Sequence, residues 1–338
     1  MSKDIEKILV AGPAWVGDMV MAQSLFMTLK QRSHPVDIDV LAPQWSNPIL
    51  GRMPEVSNVI NLPVKHGELG FISRYKIGKS LQSKKYDQAI ITPRSYKSAL
   101  VPFFSKATTR TGYRGEMRYG IINDIRALDK SILKQTVQRY VNLGLDKNNF
   151  SAPTIPFPKL TVDKNNLNQL LEKFNLDLNQ PVIALLPGAE YGEAKRWPLD
   201  YYAVLAKKLN EQGLQVWILG SEKDHGAAES IAKNNSAINL CGKTNLEDCI
   251  DLLSVCKSAV TNDSGLMHIA AAVDIPVVAI YGSSTPDYTP PLTNKAKIQY
   301  LELDCSPCFK RVCPLGHMDC LRKITPDEVF STVLKLDF

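Results

Sequence analysis

Short apolar runs alternate with longer amphipathic stretches along this chain, and the alternation occurs twice, on either side of a proline-rich segment. That segment, residues 151–158, contains three prolines in eight residues and is typical of a linker. Short β-branched runs separated by helical stretches favour βαβ units and a parallel sheet. Because 338 residues are too many for one ordinary core, the alternation predicts two successive α/β domains with doubly wound sheets.

The predicted elements define the domain boundaries. In the first half we expect strands at Ile8–Val10, Ile38–Leu41, Val59–Leu62 and Ala89–Ile91, and helices at Met19–Arg32 and Ser73–Lys84. In the second half we expect strands at Val182–Leu186, Val216–Leu219, Ser258–Val260 and Val277–Ile280, and helices at Leu199–Glu211, His225–Lys233, Leu246–Leu253 and Leu266–Val273. The domains are then 1–158 and 159–323, with a final helix in 324–338 for which the first domain is one candidate packing partner.

Bulk composition limits the class and location of the protein. A hydrophobic content of 44% and a charged content of 22% are typical of a soluble globular protein. No apolar stretch approaches the roughly 20 residues that span a bilayer. The N-terminal residues 1–7 carry acids and run directly into a strand, unlike a signal peptide. We therefore expect a cytoplasmic protein.

The positive charge of the chain is concentrated in one band. Residues 94–139 hold ten Lys or Arg and three Asp or Glu, whereas the whole chain has a net charge of only +6. Such a band indicates an anionic partner, with a solvated basic face as the alternative. Nucleic acid is disfavoured, since the aromatic-interleaved patterns of RNA-binding modules are absent.

The segment Thr261–His268 places a carboxylate, a hydroxyl and a glycine between a strand and a helix. A helix that opens there presents free N–H groups and the positive end of its dipole, which is a place for a phosphate or pyrophosphate. The alternative is that Asp263 or Ser264 simply caps a core helix.

Two further polar loops follow strands of the second domain. The loop 187–198 carries the adjacent cations Lys195 and Arg196, which suit phosphate oxygens. The loop 219–224 carries Glu222, placed to accept hydrogen bonds from ribose hydroxyls or to lie in a first helical turn. Three such loops in one domain favour a single nucleoside diphosphate over three independent helix caps.

The loop Gly12–Met19 follows the first strand, where a dinucleotide fingerprint would lie. It is not G-x-G-x-x-G, because Pro13 and Trp15 occupy positions that need close backbone approach, so a dehydrogenase is disfavoured. Asp18 is a candidate general base for an acceptor hydroxyl, with a helix cap as the alternative.

Four of the seven cysteines, Cys305, Cys308, Cys313 and Cys320, lie within sixteen residues together with His317. The spacing is compatible with zinc bound by four cysteines, or by three cysteines and the histidine, but lacks the paired C-x2-C signature. Structural disulfides are not expected in a cytosolic chain. A reduced or redox-labile loop is the favoured interpretation, and a metal site is the alternative.

Several motifs resemble the ADP-heptose:lipopolysaccharide heptosyltransferases of glycosyltransferase family 9. They are residues 15–19, 187–190 with 195–198, and 261–268, and residues 98–104 and 110–120 are also similar. The matches run in order from residue 8 to about residue 291. The cysteine cluster lies outside them.

The resemblance implies a GT-B architecture, two Rossmann-like domains facing a central cleft, and inverting, metal-independent transfer that needs no cofactor. It implies ADP-heptose as donor and heptosyl-Kdo2-lipid A as acceptor, met at the inner face of the inner membrane. The residues it implies are Asp18 as base, Lys195 at the diphosphate, Glu222 at the ribose, and Asp263, Ser264, Gly265 and His268 in the donor loop. Arg196 joins the donor set from its position, and Arg94, Arg110, Arg114 and Arg118 are the expected acceptor contacts.

Other functions stay open at this point. The acceptor could be the Kdo-proximal position, or the donor another nucleotide sugar. A nucleotide-dependent oxidoreductase and a non-catalytic nucleotide-sugar binding protein are the alternatives from other classes. No D-x-D pair follows a strand, as a metal-dependent transferase would require.

Overall fold

The computed structural model describes residues 5–64, 67–148 and 151–336. The chain divides into two compact units, Met1–Pro158 and Lys159–Phe338. Residues 1–4, the first part of the segment judged unlike a signal peptide, lie outside the described residues. Within the described residues, none of the helices has the length and apolarity that crossing a membrane requires.

The first unit is a six-stranded parallel sheet with helices between the strands. Its elements are β1 Glu6–Ala11, α1 Val16–Lys30, β2 Val36–Ala42, α2 Asn47–Leu50, β3 Asn58–Asn61, α3 Phe71–Ser80, β4 Gln88–Ile91, α4 Leu100–Phe104, β5 Thr109–Tyr113, β6 Asp124–Arg126 and α5 Thr136–Gly144. The strand order is β3-β2-β1-β4-β5-β6. This is the order of a dinucleotide-binding α/β fold.

The second unit repeats that topology. Its elements are α6 Lys164–Lys173, β7 Val182–Leu186, α7 Leu199–Glu211, β8 Gln215–Ile218, α8 His225–Ala232, β9 Ile238–Asn239, α9 Leu246–Leu253, β10 Ser258–Asn262, α10 Gly265–Ala272, β11 Val277–Ile280, β12 Ala296–Gln299, α11 Asp319–Arg322 and α12 Pro326–Leu334. The parallel strands follow the order β12-β11-β10-β7-β8-β9. Short 3₁₀ turns at Glu193–Lys195 and Glu222–Asp224 follow β7 and β8.

Both sheets are built around buried central strands. All five residues of β7 and all five of β10 are buried, as expected where helices cover both faces of a parallel sheet. Sheets of this kind bind ligands beyond the carboxyl ends of the strands. A ligand is therefore expected to bind at the loops after β1, β7, β8 and β10.

The final helix is buried in the second unit. Val329 and Val333 of α12 belong to the same apolar cluster as Leu205 and Leu209 of α7. The predicted final helix is therefore present as α12, and its apolar face packs within the second unit.

Candidate functional site

An ion pair joins the loops that follow two neighbouring strands, β7 and β10. Lys195 ends the 3₁₀ turn after β7, and its ammonium contacts the carboxylate of Asp263, the first residue after β10. Asp263 is only 6% exposed and also accepts a hydrogen bond of 2.6 Å from the Ser284 hydroxyl. The Lys195 ammonium lies 5.2 Å from the centre of the Tyr191 ring. The structure thus brings two of the predicted donor residues into direct contact.

A buried amide that the sequence analysis missed fixes this arrangement. Asn262 is the last residue of β10 and is fully buried. Its side-chain oxygen accepts hydrogen bonds from the Trp197 backbone N–H (2.9 Å) and the Tyr202 hydroxyl (3.2 Å), and its amide donates to the Pro187 carbonyl at 2.7 Å. Asn262 therefore ties both ends of the β7–α7 loop to β10. The available signal was an amide residue directly after the predicted strand Ser258–Val260 and Thr261.

The N-terminus of α10 opens beside the ion pair. Ser264 holds the N-cap position with an extended backbone, but within the described part of the chain its side chain makes no capping hydrogen bond. Asp263 directs its carboxylate to Lys195 and Ser284 instead. With Gly265 as the first helical residue, the N–H groups of this turn are left for an anion, which favours the anion-site interpretation over the cap.

His268 lies on the buried side of α10. It is 5% exposed, and burial lowers the pKa of its imidazole to about 4, assisted by Lys195 and opposed by Asp263. Its Nδ1 makes no hydrogen bond within the described part of the chain. A neutral imidazole therefore lies close to the ion pair at neutral pH.

Arg196 and Glu222, the other two predicted donor residues, lie in the loops after β7 and β8. The Arg196 guanidinium donates to the Ala189 carbonyl at 3.1 and 3.2 Å, so it braces its own loop. Glu222 is exposed at the start of its 3₁₀ turn, with its carboxylate lying over Gly242. A side chain at Gly242 would come within 2.1 Å of the carboxylate, and its φ of +73° also favours glycine.

Asp18 occupies the first turn of α1 in the first unit. The N-cap position belongs to Trp15, so Asp18 is not the capping residue. Its half-buried carboxylate accepts a hydrogen bond of 2.8 Å from the Tyr140 hydroxyl on α5.

The four predicted acceptor arginines separate into two pairs. Arg94 and Arg114 are exposed just beyond the carboxyl ends of β4 and β5, where Arg94 donates to the Arg114 carbonyl at 3.3 Å. Arg118 is only 2% exposed and donates to the Pro93 and Tyr113 carbonyls, and burial lowers the pKa of its guanidinium to about 10. Arg110 lies at the amino end of β5 and donates to the Ala107 and Ile121 carbonyls. Arg110 and Arg118 therefore support the loops of the basic band.

The cysteine cluster, Cys305, Cys308, Cys313 and Cys320, converges in space. All four side chains and His317 line one small cavity of about 20 Å³, and all four are free thiols. Backbone N–H groups of residues 315–318 point at the Cys313 sulfur and lower the pKa of that thiol. Burial, with the other three thiols nearby, raises the pKa of Cys320 to about 11.

Comparisons with known proteins agree on one family. The model of glycosyltransferase family 9 (heptosyltransferase) matches residues 74–319. The chain is 47% identical to lipopolysaccharide heptosyltransferase 2 of Salmonella typhimurium over 98% of both chains. It is 46% identical to lipooligosaccharide heptosyltransferase 2 of Haemophilus influenzae over 97% of this chain and 99% of that one.

A solved structure supports the fold. The ADP-heptose lipopolysaccharide heptosyltransferase II of Escherichia coli is 44% identical and superposes with a TM-score of 0.86, covering 98% of each chain. The predicted class, α/β with two Rossmann-like doubly wound domains of the GT-B type, is confirmed.

Proposed function

Since the chain belongs to glycosyltransferase family 9, the heptosyltransferases, we propose that it transfers L-glycero-D-manno-heptose from ADP-heptose to the first heptose of the lipopolysaccharide inner core. Near-full-length identity of 46–47% to two enzymes named heptosyltransferase 2 supports this acceptor over the Kdo-proximal one. The observation that carries the proposal is the Lys195–Asp263 pair beside the uncapped N-terminus of α10.

The donor binds the second unit through its diphosphate. Lys195 supplies a cation held in place by Asp263, and the N–H groups around Ser264 and Gly265 supply a second positive region. Glu222 accepts hydrogen bonds from the ribose, as acidic residues do at this kind of strand end. His268, buried and uncharged at neutral pH, packs behind the loop that contains Ser264 and Gly265.

These groups also stabilise the leaving group. As the bond between the anomeric carbon and the diphosphate breaks, negative charge accumulates on ADP. A fixed ammonium and a helix N-terminus can stabilise that charge without a metal ion. We therefore propose metal-independent transfer.

Asp18 acts as the general base. Its carboxylate takes the proton of the acceptor hydroxyl while the hydroxyl oxygen attacks the anomeric carbon and ADP departs. One displacement of this kind inverts the anomeric configuration. Tyr140 donates to the Asp18 carboxylate and is a positioning residue.

Arg94 and Arg114 bind the acceptor. Both are exposed at the carboxyl edge of the first sheet, and the Kdo carboxylates and lipid A phosphates are anionic. Arg118 acts indirectly by holding the loop that carries Arg114.

Peripheral binding to the inner membrane is supported by an aromatic surface on α3 and α4. The rings of Phe71 and Tyr75 pack on Phe104 with centroids 5.6 and 5.0 Å apart, and Ile72 beside them is 69% exposed. Exposed lysines lie at positions 76 and 79 of α3 and at position 106, two residues after the end of α4. Aromatic and apolar groups flanked by cations suit an anionic phospholipid surface.

The deciding experiment offers ADP-heptose and two defined acceptors, Kdo2-lipid A and its mono-heptosyl derivative. We expect heptose addition to the mono-heptosyl acceptor alone, with mass spectrometry giving the added mass and NMR giving an anomeric configuration opposite to that of the donor. Transfer to Kdo2-lipid A would instead support the Kdo-proximal alternative. Retained configuration would contradict the single displacement at Asp18.

Metal independence is tested by adding a chelator during turnover. We expect transfer to continue with EDTA and with no added divalent ion. Activity that is lost with EDTA and restored by Mg²⁺ or Mn²⁺ would contradict the mechanism.

A further inference from the structure

We propose that Cys305, Cys308, Cys313 and Cys320 bind one soft transition-metal ion, zinc or iron, as four thiolates, and that this ion braces the turn that carries Lys195. The metal site itself is independent of the activity proposed above. Its consequence for donor binding rests on that proposed function.

The convergence of the four thiols is the first observation. They line a single cavity of about 20 Å³, although they are spread over sixteen residues of a segment with little regular structure. Phe309 and Met318 adopt φ values of +53° and +54°, which turn the chain after Cys308 and before Cys320. Four cysteine thiolates are the ligand set of structural zinc and of iron–thiolate sites.

Cys313 begins a tight turn. The Gly316 N–H donates to the Cys313 carbonyl at 3.2 Å, and this turn directs the chain back past the cavity toward Cys320. Gly316, with φ of +73°, allows the tight turn.

The thiols must close further to coordinate an ion. As their side chains stand, the described residues include no group of three or more His, Cys, Asp or Glu that could hold a metal ion. We infer that side-chain rotation completes the site when the ion binds. His317 is not needed as a ligand, since its Nδ1 accepts the Asp319 backbone N–H at 2.9 Å.

The cluster is attached to the donor site by backbone hydrogen bonds. The Ala194 N–H donates to the Arg311 carbonyl at 3.0 Å, and the Phe309 N–H donates to the Ser283 carbonyl at 2.7 Å. Ala194 precedes Lys195, and Ser283 precedes Ser284, which bonds to Asp263. Both Ala194 and Ser283 also line the thiol cavity. An ion that orders residues 305–320 therefore orders the two turns that hold Lys195 and Asp263.

The test begins with metal analysis of the purified full-length chain, handled without oxygen. We expect about one zinc or iron per chain by inductively coupled plasma mass spectrometry. Cobalt loading should give the intense visible bands of tetrahedral Co²⁺ together with sulfur-to-cobalt charge transfer. Cys313→Ser and Cys320→Ser should each lose most of the bound metal, whereas His317→Ala, the matched control from the same cavity, should keep it.

The consequence is measured separately. Removing the metal from the unmutated protein should raise the dissociation constant for ADP several-fold, measured by calorimetry, and added zinc or iron should restore it. This comparison does not depend on a cysteine variant folding correctly.

Three results would overturn the proposal. They are a chain that binds no zinc, iron or cobalt after anaerobic reconstitution, a native chain whose four thiols are paired in two disulfides, and loss of the metal in His317→Ala. Metal binding with no heptose transfer would leave this site standing and contradict the proposed function. Heptose transfer by a chain that binds no metal would support the proposed function and contradict the metal site.

Discussion

Two carboxylates, Asp18 and Asp263, lie where a central strand passes into a helix, from β1 to α1 and from β10 to α10, yet their surroundings differ. Asp263 is buried, is paired with the Lys195 ammonium and accepts a hydrogen bond from Ser284. Asp18 is half-buried in the first turn of α1 and accepts a hydrogen bond from the Tyr140 phenol. The N-cap residues of α1 and α10 are Trp15 and Ser264, so neither carboxylate belongs to the N-cap residue of its helix.

The difference shows how carboxylates in two strand-to-helix connections can serve two purposes. A carboxylate that contacts an ammonium and a hydroxyl fixes the positions of its neighbours. A carboxylate with partial solvent access and a neutral phenol beside it can meet an acceptor hydroxyl. The strand-to-helix connection places each carboxylate, and the groups that contact the carboxylate determine whether it holds neighbouring residues or acts as a base.

The largest effect is expected for Asp18→Asn, which keeps the shape and removes the base. We expect kcat to fall by about 10²–10⁴-fold, the usual contribution of general-base catalysis, with the unfolding temperature and the affinity for ADP unchanged. Steady-state kinetics with the mono-heptosyl acceptor measure it.

Tyr140→Phe is the matched control for Asp18→Asn. Because Tyr140 only orients the carboxylate, the loss should be smaller and should include a shift of the acidic limb of the pH–kcat/KM profile. If the Asp18→Asn enzyme kept a near-normal kcat, Asp18 would not be the base, and the proposed difference in role between Asp18 and Asp263 would be wrong.

A second prediction concerns stability at low pH in the Asp263 region. Burial lowers the pKa of His268 to about 4 from its usual 6.5. Between these values the unfolded chain takes up a proton that the folded chain does not. The free energy of unfolding should therefore fall as pH drops from about 6.5 to 4, by about 3 kcal/mol in total, and should be level above 6.5.

Urea unfolding from pH 4.5 to 7.5 measures this dependence. His268→Gln, which cannot titrate, should flatten the part of the slope due to this residue. An equal slope in both proteins would show that His268 does not remain neutral in the folded second unit.

The third prediction tests Asp263 as a scaffold. Asp263→Asn removes the charge that holds Lys195, and we expect a loss of about 2 kcal/mol in the free energy of unfolding and weaker binding of ADP-heptose. The exposed pair between Asp274 and Lys295 offers the control, since Asp274→Asn should change stability by less than about 1 kcal/mol. Equal losses in the free energy of unfolding for Asp263→Asn and Asp274→Asn would mean that the buried pair contributes no more to stability than the exposed one.

The sequence predicted central strands such as β7 and also the edge strand β3, but it gave no prediction for β5, β6, β9 and β12. Val182–Leu186 is a continuous apolar run because β7 is covered on both faces, and its predicted bounds match the structure. By contrast, β9 has only two residues, and β12 contains Lys297 on a half-exposed edge. The run Thr109–Tyr113 in β5 carries an arginine and a glycine, so no apolar pattern marks it.

The candidate site shows the same limit. Strand-end loops could be located from the sequence, so Lys195 and Asp263 were both selected. Their direct contact joins residues 68 positions apart and depends on β7 lying next to β10, which local pattern does not encode. The basic band was identified by counting charged residues, and a count does not show where each side chain points. It therefore included Arg110 and Arg118, whose guanidinium groups donate to backbone carbonyls.

The smallest effects should come from the exposed arginines, and they test whether the edge that carries Asp18 binds the acceptor. Arg94→Ala and Arg114→Ala should each raise KM for the acceptor about tenfold, the equivalent of one charge-assisted contact of about 1.4 kcal/mol, with kcat and donor KM unchanged. Arg110→Ala is the control of equal charge, and it should lower the unfolding temperature without a specific change in acceptor KM, because its guanidinium supports the Ala107 and Ile121 carbonyls. Added salt should weaken acceptor binding in the parent enzyme more than in the Arg94 and Arg114 variants. If Arg110→Ala alone raised acceptor KM, the anionic groups would bind at the amino end of β5, and the base would have to be sought away from Asp18.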